Sequence, residues 1–176
     1  MISSFEIDKM CSKYFRYADL IQCGETIKKQ KEINNLPQSE ETLNAIGQLC
    51  KKILDPIQEK FGKIKLTYGF ASTNLTKQIN KNIYPKLDQH SGYEKNSKGN
   101  YICSRLGMAC DFYIKNISMH AVAKFIIEKL PYDRLYYYGD EKPIHISYGP
   151  ENNKQIVKMI VYNDRRIPKV VKAINF

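Results

Sequence analysis

Apolar residues recur at helical spacing at Phe5, Ile7, Met10, Cys11, Tyr14 and Phe15, which predicts a helix over residues 5–17. Residues 28–37 read as a polar connection. Ser39 then stands where an N-cap belongs, and Glu40 and Glu41 suit the positive end of a helix dipole. From there Leu43, Ile46, Leu49, Ile53, Leu54 and Ile57 mark one stripe of a long helix, with Pro56 expected to kink or end it and Gly62 to close it. Ile64, Leu66 and Tyr68 alternate with their neighbours as a half-buried strand does. Ser72 is placed to cap a short helix carrying Leu75 and Ile79.

Residues 80–100 break the pattern: they are rich in Asn, Lys, Gly and Ser and show no periodicity. A stretch this long without periodicity inside a domain points to a functional loop. Beyond it, residues 108–114 read as a strand, and Ser118 caps a helix through Val122, Ile126 and Leu130 that Pro131 stops. Residues 134–138 and 144–148 pattern as a strand pair joined by 139–143, and residues 156–162 add a further strand before a basic tail. Helices come first and most strands later, which predicts an α+β domain, an antiparallel sheet with helices packed on it. At 176 residues one core is expected. It divides into an N-terminal helical extension (1–38), a core (39–150) and a C-terminal strand with basic tail (151–176).

Composition narrows the class. With 43% hydrophobic and 26% charged residues, the chain has enough apolar content to fold. No run approaches the roughly 20 apolar residues of a membrane helix, so no membrane partner is expected. Glu6 and Asp8 near the start, with no apolar stretch after them, argue against a secretory leader. The five cysteines form an odd set without a Cys-x-x-Cys pair. That favours a reducing compartment, and a cytoplasmic location is expected. The net charge of +10 either keeps the surface soluble or attracts a polyanion such as nucleic acid. Its clusters lie at Lys28, Lys29 and Lys31, at Lys51 and Lys52, and at Arg165, Arg166, Lys169 and Lys172.

Candidate chemistry sits at three places. Asp111 lies inside the apolar run Gly107-Met108-Ala109-Cys110-Asp111-Phe112, where a carboxylate needs a cation, a metal or strong donors beside it. In Ile144-His145-Ile146-Ser147, alternation puts His145 on the face opposite the two isoleucines. His90 belongs to Asp88-Gln89-His90 in the polar loop, whereas His120 reads as an exposed residue in the first turn of a helix. His90, Asp111 and His145 together would make a His/Asp/His set, the three-ligand arrangement of a catalytic zinc with one position open.

From Leu36 to Tyr148 the order of features resembles the M15 metallopeptidases, the D-alanyl-D-alanine carboxypeptidase and phage endolysin group with the Hedgehog/DD-peptidase fold. Tyr68-Gly69-Phe70-Ala71-Ser72 is similar to the end of that family's Ser-Gly-Tyr-Arg-Ser strand. Gly107-x-Ala109-x-Asp111 matches the second half of its Ser-x-His-x-x-Gly-x-Ala-x-Asp motif. Tyr132-Asp133-Arg134-Leu135 and Ile144-His145-Ile146-Ser147 resemble its closing segments.

The resemblance implies a zinc-dependent hydrolase of a peptide or peptidoglycan-like substrate, with Asp111 and His145 as ligands. In strict register the first ligand falls on Ser104. His90 takes that place if residues 91–105 are an insertion, and Cys103 is the alternative thiolate. The family's substrate-binding Arg falls on Ala71, with Arg105 near the motif, and its general-base Glu falls near Tyr138. Glu141, and after it Glu94, are the carboxylates that would then serve as base.

Overall fold

The computed structural model describes residues 7–29, 32–79, 84–163 and 165–176. Its elements are α1 (Tyr17–Ile21), α2 (Glu25–Lys29), α3 (Glu40–Leu49), α4 (Asp55–Phe61), β1 (Ile64–Tyr68), α5 (Thr73–Gln78), β2 (Met108–Ile114), α6 (Met119–Lys129), β3 (Arg134–Tyr137), β4 (Ile144–Tyr148), β5 (Gln155–Tyr162) and β6 (Arg165–Val171). The expected caps form. Ser39 Oγ accepts the Glu41 N–H at 3.1 Å, Ser72 Oγ that of Leu75 at 3.2 Å, and Ser118 Oγ that of Ala121 at 3.2 Å.

Two helical expectations are corrected. Residues 8–16 are irregular and closed by a Met10–Arg16 bridge; Phe5 lies outside the described residues. The backbone there bonds elsewhere. Cys11 and Ser12 N–H groups both donate to Phe15 O, and Ser12 Oγ and Lys13 N donate to the Asp55 carboxylate at 2.9 and 3.0 Å. The apolar spacing still has meaning, because Ile7, Cys11 and Phe15 are buried in the core. The second correction concerns Pro56, which does not end its helix. A π-helical stretch, Cys50–Leu54, joins α3 to α4, and Asp55 N–H reaches back five residues to Cys50 O. Proline is tolerated in the first turn after that widening, where its missing N–H removes no helical bond.

The sheet has six strands in the order β1-β2-β4-β3-β5-β6. It is mixed rather than antiparallel, since β3 and β5 run parallel and the other pairs antiparallel. β5 follows β4 in the chain but pairs with β3, which β4 has already flanked on its other side, and that crossover sets the parallel direction. The expected basic tail is also corrected, because residues 165–171 pair with β5 as β6.

Cys110, Phe112, Leu135, Ile144 and Ile146 line the sheet face that α3 and α6 cover, in one apolar cluster with Leu49, Ile53, Val122 and Ile126. Asn35, in the expected polar connection, is buried and ties α1 to the end of β1. It donates to Ile21 O and Phe70 O at 2.7 and 2.9 Å and accepts from Ser72 N at 2.8 Å. All five cysteines are free and buried. Among the described residues no helix is long and apolar enough to cross a membrane.

Candidate metal centre

One register row crosses the whole sheet on the face turned from α3 and α6. Tyr68 lies opposite Asp111, Asp111 opposite His145, His145 opposite Tyr136, Tyr136 opposite Val157 and Val157 opposite Val170. Directly opposed residues point to the same side of a sheet. The apolar alternation that buries Cys110, Phe112, Ile144 and Ile146 therefore pushes Asp111 and His145 out together.

His90 arrives from the loop. It sits in the 3-10 turn Gln89–Ser91, where Asp88 caps it by accepting the His90 N–H at 3.1 Å. The segment after β1 holds this turn in place: Ala71 N–H donates to His90 O at 2.9 Å. His90 Nδ1 lies 2.8 Å from Gly69 O. A carbonyl only accepts, so Nδ1 carries a proton, and Nε2 is the nitrogen turned to the sheet. Gly69 also lets the end of α1 lie against this segment, because a Cβ there would collide with Leu20 O. On the other flank Gln89 Nε2 donates to Leu106 O at 3.0 Å and to Asp133 at 2.9 Å, and its Oε1 accepts from Arg134 at 3.2 Å.

Three atoms then converge. His145 Nδ1 is 2.8 Å from Asp111 Oδ1, His90 Nε2 is 3.2 Å from His145 Nδ1, and His90 Nε2 is 3.4 Å from Asp111 Oδ1. Lone-pair atoms this close repel unless positive charge lies among them, supplied by a proton or a cation. Ligands of a tetrahedral ion with bonds of about 2.0–2.1 Å are roughly 3.3–3.4 Å apart, close to these edges. The group can hold a metal ion. An N–H of one ligand histidine fixed on a backbone carbonyl is the outer-shell arrangement that orients metal-binding imidazoles.

Side-chain exposure rises from His90 (4%) through His145 (15%) to Asp111 (29%), so the group is open on one side. That side is a cleft of about 1050 Å³ whose lining includes Tyr68, Asp88, Arg105, Tyr136 and Tyr138. Burial alone would raise the Asp111 carboxyl. Hydrogen bonds from His145 and His90, with their charges, outweigh it and hold the carboxyl well below the usual range. Burial would likewise depress His90, yet the charge of Asp88 and the bond and charge of Asp111 raise it. The Tyr68 and Tyr138 phenols are pushed up by burial and by nearby carboxylates, including Asp111 and Asp88, so both stay protonated at neutral pH. Tyr68 Oη is buried and has no hydrogen-bond partner among the described residues.

Of the three candidates for the first ligand position, the fold brings His90. Cys103 is buried with its thiol on Arg105 O, and Ser104 Oγ donates to Lys86 O. Neither expected base lines the cleft. Glu94 is buried and accepts from Gln38 N and from Thr42 Oγ1 at 2.8 Å, tying the loop to α3. Glu141 is exposed in the β3–β4 turn, because the turn carries it off the end of the sheet. His120 is half-buried, stacked on Phe176 with ring centroids 5.1 Å apart. Sequence reading missed the anchoring role of Gln89 and the Asp133–Arg134 pair beneath it. The available signal was two adjacent charges beside an otherwise apolar strand. It also missed Tyr68, which alternation places with Ile64 and Leu66 on the core side; a register shift between Leu66 and Tyr68 brings it opposite Asp111 instead.

No protein-family model, curated protein or solved structure matches this chain.

Proposed function

We propose that the cleft holds a zinc ion on His90, Asp111 and His145 and hydrolyses an amide or peptide bond, as the likeness to the M15 metallopeptidases and the Hedgehog/DD-peptidase fold suggests. The observation that carries this reading is the closed triangle of His90 Nε2, Asp111 Oδ1 and His145 Nδ1, with His90 Nδ1 on a backbone carbonyl. Zinc held by three such ligands supplies Lewis acidity and brings a water molecule toward a pKa of about 7.

The chain's own groups supply the rest. Asp88 is the carboxylate beside His90 that lines the cleft outside the triangle, and it takes the place of Glu141 and Glu94 as proton acceptor. The protonated phenol of Tyr138, at the register of the family's Glu, donates a hydrogen bond to a substrate oxygen. With Ala71 in the Arg position, Arg105 is the cation that faces a substrate carboxylate. Arg134 is already held by Asp133, Gln89 and Glu151. A peptide from cell-wall material fits this charge pattern, and a reducing, cytoplasmic address fits five free cysteines.

Metal analysis of the purified protein beside His145→Ala tests the site. The expected result is about one zinc per chain in the wild type and a large loss in the variant; equal zinc in both overturns it. Release of peptides from purified peptidoglycan, abolished by His145→Ala and by chelator, tests the substrate class. Intact peptidoglycan with zinc bound would keep the site and remove that substrate.

A further inference from the structure

β3 pairs with β5 only through Gln155–Lys158, whereas β5 and β6 remain paired as far as Tyr162 and Arg165. Residues 159–162 and 165–168 therefore extend past the third strand as a two-stranded ribbon. Two features set it apart. One is charge: Lys158, Arg165, Arg166, Lys169 and Lys172 fall within residues 155–172, against Asp164 alone. Among the described residues none of Arg165, Arg166, Lys169 and Lys172 has an ion-pair partner. The other is apolar exposure: Val161 is 70% exposed and Val170 63%, with Tyr162, Ile167 and Ile174 also exposed.

Register sorts these residues. Val157/Val170, Met159/Pro168 and Val161/Arg166 share one side, and Lys158/Lys169, Ile160/Ile167 and Tyr162/Arg165 the other. Through the row Asp111–His145–Tyr136–Val157–Val170, the more apolar side faces the same way as the cleft.

We propose that this ribbon docks on the surface of an anionic lipid bilayer. A nucleic acid would answer the cations but leave the exposed valines and isoleucines in water. A second copy seated on the apolar side would leave Lys158, Arg165 and Lys169, which point the other way, unanswered. Edge-to-edge strand pairing is also opposed by Pro168, which lacks an N–H, and by Lys169 on the outer strand. An anionic bilayer takes both: headgroups attract the basic residues, while aliphatic and tyrosine side chains enter the interface and the long cationic stems reach back to it. The expectation of no membrane partner came from the want of a spanning segment, which says nothing of surface docking.

Vesicle co-sedimentation of the full chain tests the proposal, using phosphatidylcholine vesicles with and without about one-third phosphatidylserine. Binding is expected only with phosphatidylserine and is expected to weaken with salt. Each basic residue contributes about a fivefold gain in partitioning, so Arg165→Glu with Arg166→Glu lowers binding at least ~25-fold. Val161→Asn with Val170→Asn weakens it at unchanged charge, while His145→Ala binds like the wild type. Thermal melts show that each variant is folded. Three results overturn the proposal. The first is binding that ignores phosphatidylserine or the charge reversal. The second is a 20-base-pair DNA shift lost in the Arg variants while vesicle binding is absent, which assigns the ribbon to nucleic acid. The third is a dimer by light scattering that Val161→Asn with Val170→Asn dissolves, which assigns it to a second copy.

Discussion

Asp111 and His145 are register partners on the antiparallel strands β2 and β4, and their side chains meet at 2.8 Å. A direct cross-strand pair is among the stiffest placements a fold offers, because both backbones are fixed by the ladder and neither side chain crosses a loop. Two of the three proposed ligands are thus set by the sheet itself. The third depends on how a loop is pinned, and that is where the site is most open to perturbation.

Gln89→Ala removes the bonds to Leu106 O, Asp133 and Arg134 that seat the His90 turn. Zinc affinity is expected to fall about 10–100-fold with the three ligands untouched. Competition titration against a chromophoric chelator measures it, and circular dichroism verifies the fold. Unchanged affinity would show that the contacts of Gly69 and Ala71 hold His90 unaided.

The pH response of the metal-free protein follows from two shifts of opposite sign. The Asp111 carboxyl is depressed in the fold, so its stabilisation is present above the unfolded carboxylate pKa and is lost as pH falls through the folded value. His90 is raised, so its stabilisation is full below the ordinary imidazole pKa and disappears as pH rises through the folded value. Metal-free stability should therefore be greatest in mildly acid solution and decline toward alkaline pH. Zinc uptake should run the other way, because binding displaces the proton on His90. Chemical denaturation across pH, with and without chelator, checks both slopes, and Asp111→Asn should flatten the metal-free curve.

Asp133→Ala strips a fully buried carboxylate from Arg134 and also releases Asn153 N, which donates to it at 2.9 Å. Removing one partner of a buried pair costs about 3–5 kcal/mol. The lower end applies, since Glu151 still holds Arg134 at 2.7 Å. Urea unfolding should show that loss. Adding Arg134→Met should recover part of it, because no buried charge is then left alone.

The two carboxylates first considered as bases should behave unlike each other. Glu94→Ala loses the bonds from Gln38 N and Thr42 Oγ1 and should cost about 1.5–3 kcal/mol, as hydrogen bonds to a charged group do. Glu141→Ala, at an exposed turn, should stay within about 0.5 kcal/mol of the wild type. Neither should change zinc content. A Glu141→Ala enzyme that folds and binds zinc but loses turnover would restore Glu141 as the base and displace Asp88.

Much of the local structure was legible in the chain. Ser39, Ser72 and Ser118 cap helices because a hydroxyl satisfies N–H groups that no other part of the helix can reach, and this needs only nearest neighbours. Ile144–Tyr148 forms a strand with His145 turned from the core because period-two burial decides which side each residue takes. Gly107 was legible only as part of a motif. In the fold it has φ +114° and sits where a Cβ would lie 2.3 Å from Tyr148 O, so glycine lets β2 begin beside the end of β4.

What the amino-acid order determined by itself was most of the elements between residues 39 and 162 and the side to which most of their strand residues point, since both follow from interactions a few residues long. Which strands became neighbours was decided only in three dimensions. The parallel β3–β5 pair, the ribbon made from an apparent tail, and the arrival of His90 rather than Cys103 or Ser104 depend on contacts between residues far apart in the chain. The opening segment shows the same limit: its helical spacing was outweighed by Asp55, more than forty residues away, which took the backbone and side-chain donors of Ser12 and Lys13.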